Sequence, residues 1–293
     1  MAADAEIVQS SSAISKVEKT DGLYLRVLRN LISENVLDSS MRILVVCGGV
    51  ADRNAILQAG FTDFVISNLD EDGAGYLGAD EWSFQDAESL SFPDNSFDFT
   101  MVHEGLHHCR SPHKAIIEMF RVSKRGILIF EPADNYFTSL GIKLGVGQDY
   151  EHAAVFGHNF LSGGIRNSCI PNYIYRFTAG ELRKTILCLE PRRKLEIMFR
   201  HYLEIPWAAL KQKKGGLKRT MVALAQPILF VAHAIMPKIL SNQIVAVILK
   251  PQDGEGLHPW LVQQGEDVAP NREWFATRFG NQKNGARTAR HPG

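Results

Sequence analysis

An α/β fold with a doubly wound, mostly parallel sheet is the class the sequence predicts, and three observations carry it. Short apolar runs alternate with segments of helical period. Single helices separate these runs, which requires right-handed crossovers and parallel pairing. The 293 residues are 45% apolar and 22% charged, enough to bury a sizeable core and to exclude a globally disordered chain.

Each element has its own signal. Residues 13–37 read as a helix, with Leu23, Val27, Leu28, Leu31 and Ile32 at helical spacing before Asp38-Ser39-Ser40 breaks it. Residues 43–47 form a continuous apolar run ending at Gly48-Gly49, as a strand buried on both faces does. Asp52 is placed to cap a helix through Ala59, which Gly60 ends. Strands follow at 64–67, more weakly at 81–85, and again at 97–102. Pro112 opens a helix through Arg121, and 127–130 make a fifth strand closing at Glu131-Pro132. A helix from Thr178 to Leu189 and strands at 195–200 and 243–249 complete the series.

Two stretches interrupt this rhythm. Residues 133–177 are rich in Gly, Asn and aromatics, and 203–240 hold a basic run followed by an apolar one. Insertions of that length in compact domains commonly form lids or substrate loops. The expected division is an N-terminal helical segment at 1–40, a main domain at 41–250 with insertions 133–177 and 203–240, and a tail at 251–293. The last fourteen residues of the tail are expected to be disordered.

Lys+Arg and Asp+Glu both number 32, so no whole-molecule basic field points to nucleic acid. Cys47, Cys109, Cys169 and Cys188 form no C-x-x-C pair, against a thiolate zinc site or a disulfide scaffold. The N-terminus carries Asp4 and Glu6 and no basic segment leading into an apolar run. The expectation is a reduced, cytoplasmic protein.

In an open parallel sheet, ligands bind outside the carboxyl ends of the strands. Cys47, Gly48 and Gly49 follow the first strand, Asn68 and Asp70 the second, Asp86 and Ala87 the third, and His103 and Glu104 the fourth. Glycines let backbone approach a ligand, and Asn68 and Asp70 suit ribose hydroxyls.

The stretch from Asp86 to Pro132 reads DAESLSFPDNSFDFTMVHEGLHHCRSPHKAIIEMFRVSKRGILIFEP. Its acid, proline, Ser-Phe-Asp, paired histidines and Arg-Val fall in an order and spacing that closely resembles the class I S-adenosylmethionine-dependent methyltransferases, in their small-molecule, type 11 branch. The resemblance is strong over 41–132 and loose over 178–250. It implies a seven-stranded, Rossmann-like sheet with an antiparallel last strand, S-adenosyl-L-methionine as cofactor and a small-molecule acceptor. It also implies that Asp86 accepts from the adenine amino group beside Ala87, that Asn68 or Asp70 holds the ribose, that Cys47, Gly48 and Gly49 pass the methionine moiety, and that His103 lies near the methyl group. Leu44, Val46 and Val50 stand where the family's first motif has its acid and outer glycines, and Lys124-Arg125-Gly126 shortens its Lys-Pro-Gly-Gly. His107 and His108 are the candidate catalytic bases, because imidazole titrates near neutrality. Glu104, His152 and His158 are weaker candidates.

Residues 103–107 also spell H-E-x-x-H, with His113 at a metzincin's third-ligand position. The segment directly follows a strand, Gly105 weakens the required helix, and Arg110 replaces the glycine that turns the chain. No metal is assigned on this basis. A zinc hydrolase ranks behind two other readings, the methyltransferase and a non-catalytic cofactor-binding or scaffold protein with a decayed first motif.

Residues 220–237 are uncharged and follow Lys211, Lys213, Lys214, Lys218 and Arg219. The run is borderline in length for a membrane span, and Gln226, Pro227 and His233 make spanning less attractive. A peripheral helix touching anionic lipid competes with a buried lid helix. In the first case the acceptor is a lipid or a lipid-linked glycan. The sequence assigns no oligomeric state.

Overall fold

The computed structural model describes residues 22–145, 147–205, 207, 217–251, 255–265 and 267–280, with backbone alone at 217–222. Its strands are Ile43–Val46 (β1), Phe64–Asn68 (β2), Trp82–Phe84 (β3), Phe97–His103 (β4), Ser123–Pro132 (β5), Glu196–Tyr202 (β6) and Gln243–Leu249 (β7). They form one seven-stranded sheet in the order β3-β2-β1-β4-β5-β7-β6. β7 runs antiparallel to both β5 and β6, whereas the pairs from β3 through β5 are parallel. This is the expected fold class, with the switch in strand order beside β1.

Alternation along the central strands builds two apolar layers. Leu44, Val46, Val102, Ile127, Ile129, Ile244 and Ala246 face one side. That side is covered by Pro112–Val122 (here α4) and Ala179–Leu189 (α7), through Ile116, Met119, Leu182 and Ile186. Ile43, Val45, Phe99, Met101, Leu128, Phe130 and Val245 face the other. There Leu23–Ser33 (α1), Val50–Ala59 (α2) and Gly73–Leu77 (α3) contribute Val27, Leu28, Leu31, Ile56 and Leu77. Strands buried on both faces explain why their sequences read as unbroken apolar runs.

Several boundaries differ from expectation. α2 begins at Val50, so Asp52 is its third residue and reaches back to accept the Gly49 N–H at 2.9 Å, the carboxylate half of a capping box. Gly60 ends the helix at φ 100°, as expected. β5 extends well beyond 127–130, because β7 pairs with it from Gly126 to Pro132. The insertion at 133–177 contains Tyr136–Lys143 (α5) and His152–Gly157 (α6). The second insertion contains Leu217–Ile235 (α8) and Pro237–Leu240 (α9), whereas Lys211, Lys213 and Lys214 lie outside the described residues. In the tail, Leu261–Gln264 (β8) and Asp267–Pro270 (β9) pair as an antiparallel hairpin. Arg272–Phe279 (α10) follows, with Trp274 edge-on to Phe275 and Phe279. Of the tail's last fourteen residues, Gly280 ends α10 and 281–293 fall outside the described set.

Candidate functional site

The loops after β1, β2 and β4 border a cavity of about 600 Å³ on the carboxyl side of the sheet. Cys47, Gly48, Gly49, Asn68, Asp70 and His108 line it from the sheet. The first insertion lines the opposite wall with Ala154, His158, Gly163 and Asn167. Its size lies within the usual range for small-molecule sites.

The local sequence explains the shape. Cys47 takes φ 54° at the end of β1, and the turn returns the Gly48 N–H to the Ser67 carbonyl at 3.0 Å. Gly49 caps α2, and a Cβ added there would meet nothing within 4 Å, so its open side belongs to the cavity. The Asn68 amide donates to the Gly48 carbonyl at 3.2 Å and accepts the Leu69 N–H at 2.8 Å, binding the first two loops together. Asp70 accepts the Tyr76 hydroxyl. Burial and that bond push the Tyr76 phenol up to about 12. Tyr76 lines the cavity and is absent from the sequence expectations; the short glycine-rich α3 that carries it has no helical period to mark it.

The expected adenine end is closed. Asp86 accepts the Glu88 N–H at 3.0 Å and the Arg166 guanidinium at 2.8 Å, and Arg166 lies 3.6 Å from Glu88. Asn167 donates to the Leu69 carbonyl at 2.7 Å. Arg166 and Asn167 both take left-handed backbone angles, φ 52° and 57°, which turn them back onto the sheet edge. Only about 20 Å³ remains free beside Asp86 and Ala87. The part of the cavity expected to take methionine and ribose is open, whereas the Arg166–Asp86 pair fills the part expected to take adenine. Nothing in the aperiodic insertion singles out Arg166.

His103 departs from expectation. It does not line the cavity but turns onto Asp52, with Nδ1 2.9 Å from Oδ1, and stacks on Tyr24 at 4.2 Å between near-parallel rings. Burial opposes its charge, yet the Asp52 bond prevails and raises its pKa. Glu104, at φ 50°, borders the cavity in its place. His113 pairs with Glu181 at 3.0 Å. The histidines of the H-E-x-x-H pattern are thus held by separate partners.

His107 and His108 sit on a short 3-10 turn, Leu106–His108, fixed from beneath by Glu131. One oxygen of this fully buried carboxylate accepts the N–H groups of Gly105 and Leu106 at 2.7 and 2.6 Å, and the other meets His107 Nδ1 at 2.7 Å. Gly105 is required where it stands, because a Cβ there would lie 2.5 Å from that of Cys47. Burial works against charge on His107, but Glu131 and then Glu151 outweigh it and push the imidazole up to about 10. Glu131 and Glu151 thus favour the protonated form of His107, which runs against its expected role as a base. His108 is shifted the opposite way, by burial and by the charge of His107. It also lines the cavity, whereas its neighbour His107 is tied to the buried Glu131.

Residues 55–130 match the family described as methyltransferase domain. A ubiquinone/menaquinone biosynthesis C-methyltransferase of Hydrogenovibrio crunogenus is 36% identical over 52 residues, 18% of this chain and 20% of that one. The chain thus spans about a fifth of the length of that curated relative. Solved structures of S-adenosylmethionine-dependent methyltransferases from Mesorhizobium loti (TM-score 0.47, 13% identity, 78% of this chain and 99% of that one) and Archaeoglobus fulgidus (TM-score 0.46, 13%, 85% and 100%) are similar to it. The matched residues 55–130 contain most of the 86–132 stretch that resembles the class I S-adenosylmethionine-dependent methyltransferases.

Proposed function

We propose that the protein transfers a methyl group from S-adenosyl-L-methionine to a small-molecule acceptor. The observation that carries this is the cavity at the switch point beside β1, bordered by Gly49, Asn68 and His108 and placed next to Asp86. When bound, S-adenosyl-L-methionine supplies a methyl group already activated on a sulfonium, so the protein's part is alignment and proton handling. Gly49 leaves room for the methionine chain beside the Gly48 backbone, Asn68 and Asp70 face the ribose, and Ala87 borders the adenine. Asp86 accepts from the adenine amino group after releasing Arg166, and His108 receives a proton where the acceptor must lose one.

The assignment of Asp86 is testable by calorimetry with S-adenosylhomocysteine. Asp86→Ala is expected to weaken binding by about 1–3 kcal/mol. Arg166→Gln removes the competing ion pair, which is half-exposed, and is expected to strengthen binding by up to about 1 kcal/mol. Weaker binding in Arg166→Gln would instead make the guanidinium a cofactor contact.

A non-catalytic binding or scaffold role is the second reading. The Arg166–Asp86 pair supports it, as do Leu44, Val46 and Val50 in the first motif. Stoichiometric S-adenosylhomocysteine binding without turnover on any acceptor class would favour it.

The acceptor is further proposed to be lipid or lipid-linked, with the protein cytoplasmic and peripheral to a membrane. Leu224, Ile228, Phe230, Val231 and Ile235 are exposed along α8, which supports an interfacial contact. Beside α8, an apolar cavity of about 510 Å³ is bordered by Leu23, Trp207, Pro227 and Phe230. No described helix is long and apolar enough to cross a membrane. The four cysteines are unpaired, in keeping with a reducing compartment. The protein is expected to sediment with anionic vesicles at low salt and to leave them at high salt, each basic residue near the surface contributing about 1 kcal/mol. Replacing Lys211, Lys213 and Lys214 by Gln should release it. Persistence in the supernatant throughout would return α8 to the role of a lid.

A further inference from the structure

A cluster of titratable side chains lies against the wall of the cavity, and one of them borders it. His107 Nε2 and His108 Nε2 both converge on one oxygen of Glu151, at 3.2 and 3.3 Å. The three ligand atoms lie within 4.8 Å of one another. A tetrahedral ion with bonds of about 2.0–2.2 Å to imidazole nitrogen and carboxylate oxygen holds its ligand atoms roughly 3.3 Å apart. The 3.2 and 3.3 Å separations match that spacing. We propose that His107, His108 and Glu151 form a binding site for a divalent first-row transition ion, with zinc as the best-matched member.

The surroundings are those of a metal site. Each imidazole has its other nitrogen engaged: His107 Nδ1 lies 2.7 Å from Glu131, and His108 Nδ1 lies 3.3 Å from the Gly164 carbonyl. Such outer partners fix each ring with its Nε2 turned toward Glu151, and an ion would insert between them in place of the Nε2 protons. Glu151 is oriented in turn by Asn172, whose amide donates to it at 3.3 Å and to the His107 carbonyl at 3.2 Å. Asn172 is 1% exposed and its Oδ1 has no partner among the described residues, an unusual cost for a buried acceptor that a metal-bound water would remove. Two imidazoles and a carboxylate, with no thiolate, select zinc and its neighbours over magnesium or calcium, which prefer oxygen ligands.

The set differs from the H-E-x-x-H pattern. It uses only the second histidine of that pattern, the adjacent His108, and a glutamate 43 positions beyond His108, contributed by the insertion. The ion would therefore tie the insertion to the turn after β4. Because His108 borders the cavity, an ion held here would sit at the cavity wall, within reach of a bound acceptor. An oxygen of the acceptor can bind there, and His108 then acts as a ligand in place of a free base. This last step rests on the methyl-transfer reading, whereas ion binding does not.

The test uses the full chain, stripped with chelator and titrated with Zn²⁺ in a calorimeter, with Co²⁺ as a spectroscopic probe. One ion per chain is expected, with a raised thermal midpoint and a visible Co²⁺ absorption of nitrogen–oxygen character. Glu151→Gln and His108→Ala should each abolish the Co²⁺ band, and Asn172→Ala should weaken Zn²⁺ binding roughly 10- to 100-fold. Absence of stoichiometric binding, or binding unchanged in both ligand variants, would overturn the site. S-adenosylhomocysteine binding by the stripped protein is measured in parallel. Its loss would strike the methyl-transfer reading, and its retention without Zn²⁺ binding would strike only the metal site.

Discussion

Replacing Glu131 by alanine is expected to lower the unfolding free energy by about 3–5 kcal/mol, the range for breaking a buried charged pair from one side. The carboxylate is fully buried and serves the N–H groups of Gly105 and Leu106 as well as His107 Nδ1. Its removal strands two backbone donors and an imidazole, each unsatisfied group costing about 1–3 kcal/mol before relaxation. At about 2–4 °C per kcal/mol, the thermal midpoint should fall by roughly 10 °C. Glu131→Gln retains an acceptor for the two N–H groups but sets an amide against His107, so its loss should be smaller. Urea unfolding of both variants checks this. A loss below about 1 kcal/mol for alanine would mean that water replaces the carboxylate and that the turn is not held by it.

Glu131 also shows where the sequence is legible. The apolar run at 127–130 and the Glu131-Pro132 that ends it mark a buried strand, and the sheet requires a polar residue at that carboxyl end. That the carboxylate turns back onto the neighbouring loop is invisible in sequence, because its partners lie 24–26 residues away. The same holds across the site. Cys47, Gly48, Gly49, Asn68 and Asp70 gather as expected, because strand ends in a doubly wound sheet must lie side by side. His103 lies away from the cavity lining because it ends β4 itself, and β4's alternation turns it toward Tyr24 and Asp52. Arg166, Glu151 and Asn172 come from an insertion without period, where their positions depend on turns that no pattern in the chain announces.

The second large effect concerns Gly49. A leucine there is expected to leave the fold intact, since the residue has an ordinary φ of −145° and its Cβ position is open. The cost to α2, from a poorer helix cap, should be about 1 kcal/mol. The new side chain would fill the part of the cavity that the methionine moiety needs. Forcing a ligand against such an overpacked wall costs about 1–3 kcal/mol, which corresponds to roughly 5- to 150-fold weaker S-adenosylhomocysteine binding. Gly49→Ala should fall between leucine and the parent. Unchanged affinity in a folded Gly49→Leu protein would move the ligand out of this cavity.

Calorimetric titration of the full chain with S-adenosylhomocysteine tests the central claim most directly. One molecule is expected to bind per chain, in a saturable transition that Asp86→Ala and Gly49→Leu each weaken while circular dichroism shows the fold preserved. A folded parent protein that shows no saturable binding would contradict the assignment of this cavity to S-adenosyl-L-methionine, and with it the proposed methyl transfer.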